Sequence, residues 1–253
     1  MPIPLGVPSK SKIIGLYGDI SGSSASMGNK RLDIALYGGL PDRSNILFVS
    51  PSSNERDIFL IQFANAGIEN GENVIYITTD KSPDQIFKYS DKFKWKLKEA
   101  HKKGQLHIID CYSWTLGKEI KDDEAYGTTQ IPGPNALNDI SIALSKVMEQ
   151  IASPGKKVRV IFNSVSTLLL YNNNDTVFKF LQITGARLKS LNATIIYTLE
   201  DKMHDGKTMS TLQHLTDALI KLEKNKIWHI NASWAGHPVS LPAEFNNNGL
   251  TIP

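Results

Sequence analysis

Short apolar runs alternate along the chain with longer stretches in which apolar residues recur every third or fourth position. Ile46-Leu47-Phe48-Val49 predicts a strand. A helical pattern follows over residues 58–70, with Ile58, Ile61, Ala64 and Ile68 on one face and Gly71 ending it. The alternation continues with a strand over 74–79, a helix from Pro83 to about Lys103, and a strand over 106–110. Residues 112–135 are polar and turn-rich, a long loop for a compact domain. A helix over 136–152 carries the clearest buried stripe, Leu137, Ile140, Leu144, Val147 and Ile151. A strand over 158–162, a helix over 175–191 and a strand over 194–199 come next. After a loop and a short helix, a strand over 218–222 precedes antiparallel strands joined by turns from 227 to 252. Upstream, a short helix over 32–41 ends at Gly38-Gly39, which suit a C-terminal cap. Residues 1–30 read as a flexible arm rich in Pro, Ser and Gly, with one short edge strand over 13–17.

Strands alternating with helices through short connections predict an α/β fold. The sheet should be mostly parallel, with helices on both faces and a C-terminal antiparallel extension. No linker splits the chain, so residues 31–253 are expected to form one domain. The 253 residues are 41% hydrophobic, enough for a sizeable core. A net charge of +3 falls short of the density that by itself argues for nucleic acid. The single cysteine, Cys111, excludes an intrachain disulfide and a cysteine-rich zinc site. No run approaches the ~18 apolar residues of a membrane span, and the amino terminus shows no hydrophobic signal core. The expectation is a cytoplasmic protein with no membrane partner.

Several stretches, in order and at consistent spacing, resemble KaiC-like members of the RecA superfamily. Leu32-Asp33-Ile34-Ala35-Leu36-Tyr37-Gly38-Gly39-Leu40-Pro41 resembles the segment that precedes their phosphate loop. Residues 62–78 resemble their first helix and second strand, and Ser82-Pro83 after that strand also fits. Phe162-Asn163-Ser164-Val165 opens a stretch, to Tyr171, that resembles the Walker B strand and its exit. Asp217-Ala218-Leu219-Ile220-Lys221-Leu222 and Asn248-Gly249-Leu250-Thr251-Ile252 match the closing strands. The resemblance covers residues 31–253. It implies a RecA-like, P-loop NTPase-type fold and a family whose members are usually oligomeric ATPases.

The resemblance also assigns positions. A phosphate loop needs glycines for close backbone approach, a Lys for the β and γ oxygens, and a Ser or Thr hydroxyl on magnesium. The family pattern falls on residues 50–57: Ser50 and Glu55 stand at the two glycine positions, Arg56 at the lysine and Asp57 at the hydroxyl. Ser52-x-x-Glu55 also reads as a capping box, in which the protein's own side chains satisfy the helix start. The Walker B strand should end in Asp; Asn163 stands there, with hydrogen bonding across strand ends as its plain role. A water-orienting carboxylate is expected after the second strand, where Asp80 is a weak catalytic candidate and a solvated loop residue is the plain reading. Glu200-Asp201 occupies the position of γ-phosphate sensors, where two acids would add repulsion. Ser233-Trp234-Ala235-Gly236 stands where the family carries Lys-x-Arg-Gly pointing at a neighbouring subunit. Any residual nucleotide contact would fall on Ser50, Ser52, Ser53, Asn54, Glu55, Arg56, Asp57 and Asn163.

Lys88, Lys92, Lys94, Lys96, Lys98, Lys102 and Lys103 crowd one segment with Trp95. A nucleic-acid face would contact Lys92, Lys96 and Lys103; the plain reading is a solvated helix face anchored by Trp95. The six histidines show no metal-ligand spacing, so no metal is expected. Cys111 reads as a buried small side chain. These observations point to a non-catalytic pseudo-ATPase: a regulatory or scaffolding protein that binds a protein partner or its own copies, with no cofactor expected. The alternatives are a weak ATP-binding ATPase in signalling or DNA repair, using ATP and magnesium, and a nucleic-acid-binding RecA paralogue.

Overall fold

A computed structural model of the chain describes residues 24–117, 127–151, 153, 155–224, 226–232, 234, 238–247 and 249–252. Strands β1 (Ser24–Ala25) and β2 (Leu40–Pro41) form a small antiparallel ribbon flanking helix α1 (Lys30–Ala35). There follow β3 (Asn45–Ser50), α2 (Asn54–Glu69), β4 (Asn73–Thr78), α3 (Pro83–Lys92), α4 (Leu97–Lys102), β5 (Leu106–Asp110) and β6 (Thr128–Gln130). Next come α5 (Leu137–Ile151), β7 (Val158–Asn163), α6 (Val165–Tyr171), α7 (Asn174–Ser190), β8 (Ala193–Glu200), α8 (Gly206–His214) and β9 (Ala218–Leu222). The chain closes with β10 (Ile227–Ala232), β11 (Val239–Pro242) and the hairpin β12 (Glu244–Asn246)–β13 (Gly249–Thr251).

The main sheet has nine strands in the order β11-β10-β9-β3-β8-β7-β4-β5-β6. Every pairing from β9 across to β6 is parallel, and β10 and β11 add the antiparallel extension. Side chains alternate between two cores, as period-2 strands buried on both faces require. Ile46 and Phe48 face one core, shared with α1 to α4, β10 and β13. Leu47 and Val49 face the other, shared with α5 to α8. Phe48, Phe59 and Trp228 meet with ring centroids 4.8–5.4 Å apart and tie α2 to the sheet beneath it. Every residue of α2 from Arg56 to Ile68 is buried. Among the described residues, no helix is long and apolar enough to cross a membrane.

The α/β fold, the mostly parallel sheet and the antiparallel end are as the pattern predicts. Four local expectations change. The helix expected from Pro83 to about Lys103 is two helices: Lys94 adopts φ 58°, a left-handed turn, and Ser90 Oγ donates to Trp95 O at 3.0 Å to hold the break. The long polar loop supplies strand β6, which extends the sheet edge beside β5. The short helix expected over 32–41 covers only Lys30–Ala35, and Leu40 and Pro41 pair with β1 as a strand. The edge strand expected over 13–17 lies outside the described residues. Of the arm expected over residues 1–30, the described part from Ser24 onward is packed: Met27 is buried, and its N–H donates to Asp33 Oδ1 at 2.6 Å.

Candidate functional site

The site lies at the carboxyl edge of the parallel strands, where loops and helix starts converge. In register, Ser50 at the end of β3 sits beside Glu200 of β8, and Thr78 at the end of β4 beside Asn163 of β7. From Ser50 the chain turns through Pro51-Ser52-Ser53 into α2. Ser53 is the N-cap: its Oγ accepts the Arg56 N–H at 3.3 Å. The box expected between Ser52 and Glu55 does not form. The helix starts one residue later than that box needs, so Arg56, a donor, stands at the position a capping carboxylate would fill. Ser52 is exposed. A full capping box forms instead at the next helix start, where Gln85 N–H donates to Ser82 Oγ at 3.4 Å and Ser82 N–H to Gln85 Oε1 at 2.9 Å.

Arg56 and Asp57 begin the buried part of α2, and neither points into solvent. Arg56 Nη2 donates to Asp80 Oδ2 at 2.9 Å, and Arg56 Nε lies 3.6 Å from Asp57 Oδ1. Lys81 Nζ pairs with the other oxygen of Asp57 at 3.1 Å. Asn163 Nδ2 donates to Asp80 Oδ1 at 2.9 Å, and Thr198 Oγ1 donates to Asn163 Oδ1 at 2.9 Å. Five side chains from three segments thus form one closed chain, Lys81–Asp57–Arg56–Asp80–Asn163, anchored through Thr198 on β8. Asp80 is therefore no solvated loop residue, because both of its oxygens are engaged inside the protein. Asn163 hydrogen-bonds across strand ends.

Burial raises the Asp80 carboxyl above its ordinary value, while Arg56 and then Lys81 pull it back down. Tyr76 is wholly buried beneath the network; burial raises its phenol, and the charges of Asp57 and Asp80 add to that. Three buried polar atoms at the turn lack a hydrogen-bond partner among the described residues: Ser50 Oγ, Arg56 Nε and Asp57 Oδ1.

The remaining expected residues scatter. Ser53 is a cap, while Asn54 Oδ1 accepts from Tyr89 of α3 at 2.6 Å. Glu200 N–H donates to Ser166 Oγ at 2.8 Å, and the Asp201 carboxylate lies 3.4 Å from Lys221 Nζ. Ser233, Ala235 and Gly236 lie outside the described residues, and Trp234 packs against the first core. Lys92, Lys96 and Lys103 are exposed on and beside α3 and α4, and none bonds to the charge network. Cys111 is buried, and its thiol is pushed far up by that burial. Among the described residues, no group of three or more His, Cys, Asp or Glu is placed to hold a metal.

Two contributors were missed. Lys81 follows Asp80 directly, a signal that was available. Thr198 has no signal of its own, because its role depends on the register between β7 and β8. A Ser–His contact is also new: His204 Nε2 lies 2.8 Å from Ser166 Oγ. Ser166 is buried, and burial lowers the His204 imidazole against the pull of Asp205 and Glu200.

The comparisons with known proteins agree with this architecture. A KaiC-like protein of the hyperthermophilic archaeon Pyrococcus horikoshii has a solved structure that superposes with a TM-score of 0.67 at 16% identity, over 90% of this chain and 97% of that one. A UPF0273 protein of Methanopyrus kandleri is 25% identical over 90% of both chains, and one of Thermotoga maritima is 25% identical over 78% of both. The family described as "ATPase: KaiC" matches residues 25–231. The chain therefore belongs to the KaiC family of RecA-fold ATPase domains.

Proposed function

We propose that this chain is a non-catalytic member of its family, a pseudo-ATPase with a regulatory or scaffolding role. The observation that carries this reading is the closed charge chain Lys81–Asp57–Arg56–Asp80–Asn163. A phosphate-loop cation must reach outward to the β and γ oxygens; Arg56 turns inward onto Asp80. Where a hydroxyl would meet magnesium, Asp57 faces Lys81. Where a carboxylate would hold the metal's water, the amide of Asn163 is taken by Asp80 and Thr198. ATP with magnesium does not fit these residues: it would have to open the Arg56–Asp80 pair and lie against two carboxylates. Each like-charge contact at ~4 Å costs about 1–4 kcal/mol, depending on screening.

A protein partner or self-association is supported by apolar side chains left in water at the same edge. Trp114, Leu116, Leu170 and Tyr171 are 46, 52, 64 and 58% exposed. Asn172, next to Tyr171, donates to Pro134 O at 3.0 Å, and a Cβ on Gly133 would lie 3.6 Å from the Trp114 ring. Residues 133 and 134 thus bring the two chain segments that carry these side chains close together, and exposed apolar groups gathered in this way mark protein contact surfaces. A phosphate-release assay with ATP and magnesium tests the catalytic half: no turnover above buffer is expected. Turnover that Arg56→Ala abolishes would overturn it. Sedimentation tests the second half: Trp114→Ser/Leu170→Ser should weaken self-association.

Weak nucleotide binding is the second reading. The unpartnered Ser50 Oγ, Arg56 Nε and Asp57 Oδ1 favour it, since buried polar atoms are normally satisfied.

A further inference from the structure

The charge of the molecule is unevenly placed. Residues 88–103 hold seven lysines and two acids, Asp91 and Glu99, a surplus of five positive charges. The whole chain is only +3, so everything outside this segment is net negative by two. Elsewhere Lys81, Lys157, Lys189 and Lys221 each pair with an aspartate. Among the described residues, no lysine of the 88–103 segment lies within ion-pair distance of a carboxylate.

These lysines are mounted on a rigid shape. Lys94, Lys96, Lys98 and Lys102 line an open groove of about 420 Å³ together with Asp91, Glu99 and Trp95, so its wall carries four positive charges against two negative ones. A second groove of about 330 Å³ shares Lys96 and Glu99 and adds Lys103 and Glu69; its charges balance, so the net positive charge lies in the first groove. The turn between α3 and α4 is fixed to the buried helix α2, because Lys96 N–H donates to Asn65 Oδ1 at 3.0 Å. Within that turn the Phe93 and Trp95 rings stack, with centroids 4.6 Å apart and planes 17° apart. Both rings are half-buried, and Trp95 forms part of the groove wall. No large apolar side chain of this segment is among the exposed ones, so it offers nothing to insert into a bilayer.

We propose that the groove between α3 and α4 binds single-stranded nucleic acid: the lysines take the phosphodiester backbone and the Phe93–Trp95 stack offers an aromatic edge to a base. Cations along a groove release counterions on binding a polyphosphate, and an aromatic side chain in the groove wall contacts a base without selecting which one. The site is independent of the charge network at the phosphate-loop turn, so it stands whether or not ATP binds.

Fluorescence anisotropy with a labelled single strand of about 20 nucleotides tests it, in salt from about 20 to about 200 mM. Saturable binding is expected, with an affinity that falls with salt as for about four phosphate contacts, a log–log slope of about −3. Lys94→Glu/Lys98→Glu/Lys102→Glu should weaken binding at least ~10-fold and flatten the slope. These side chains are exposed, and circular dichroism checks that the variant folds. Lys146→Glu/Lys179→Glu, exposed on the opposite layer, should leave binding unchanged. Absence of binding at the lowest salt, or equal loss in both variants, would overturn the proposal. So would equal or tighter binding to polyglutamate or anionic vesicles.

Discussion

Two arginines are buried in this protein, and they are held differently. Arg159 on β7 is fully inside, and Glu72 grips it with two bonds of 2.7 Å, to Nε and Nη2. Its Nη1 donates to Phe63 O at 3.0 Å and to Ser26 O, and its guanidinium lies 4.6 Å from the Phe63 ring centroid. Gly67 makes room for it: a Cβ there would stand 2.6 Å from Arg159 Cδ. Arg56 is as deeply buried, yet it makes one side-chain hydrogen bond, to Asp80, and its Nε has none. Arg159 closes a structural joint between β7, α2 and the backbone at Ser26. Arg56, in the first turn of α2, is only partly satisfied by its surroundings. The difference separates an arginine whose donors the fold satisfies from one whose donors it leaves partly unsatisfied.

Stability measurements can break that contrast. Arg159→Ala should have the largest effect, about 3–5 kcal/mol, because Glu72 would be left charged and buried; urea midpoints check it. Arg56→Ala should cost less, about 1–3 kcal/mol, since Lys81 still faces Asp57 and Asn163 still reaches Asp80. A larger loss for Arg56 than for Arg159 would reverse the contrast. The two sites share no side-chain partner, so the double variant should be close to additive.

A pH series sharpens the contrast on the Arg56 side. Burial raises Asp80 from its ordinary 3.8, so the folded protein holds that proton more tightly than the unfolded chain. Its contribution favours the fold at acid pH and is lost as pH rises through the raised folded value. Asp80→Asn cannot titrate. Wild type should therefore lose stability relative to the variant as pH rises from 3.8 upward, and a difference that grows with pH would give the opposite sign.

The smallest effect concerns the helix start. Ser53→Ala should destabilise by about 1 kcal/mol through loss of the cap, while Ser52→Ala should change stability by only a few tenths. The reverse order, read from thermal midpoints, would restore the Ser52–Glu55 box.

Much of the fold was legible because both periodicities are strong. The 136–152 stripe and the 46–49 run each became the expected element, with ends shifted by a residue or so. The break at Lys94 was not legible, since a left-handed lysine leaves no mark in an apolar pattern. At the site, the residue types at 56, 57 and 163 were readable one by one. What they do to one another was not: the bonds to Asp80 depend on where β4 and β7 end side by side. The one-residue shift of the cap had another cause: Ser52 and Ser53 are the same residue type, and only the turn geometry after β3 selects between them.

Isothermal titration of the wild-type chain with ATP and magnesium tests the central claim most directly. The closed chain of Lys81, Asp57, Arg56, Asp80 and Asn163 predicts no saturable heat up to about millimolar nucleotide. Binding at about micromolar affinity, lost in Arg56→Ala, would contradict it.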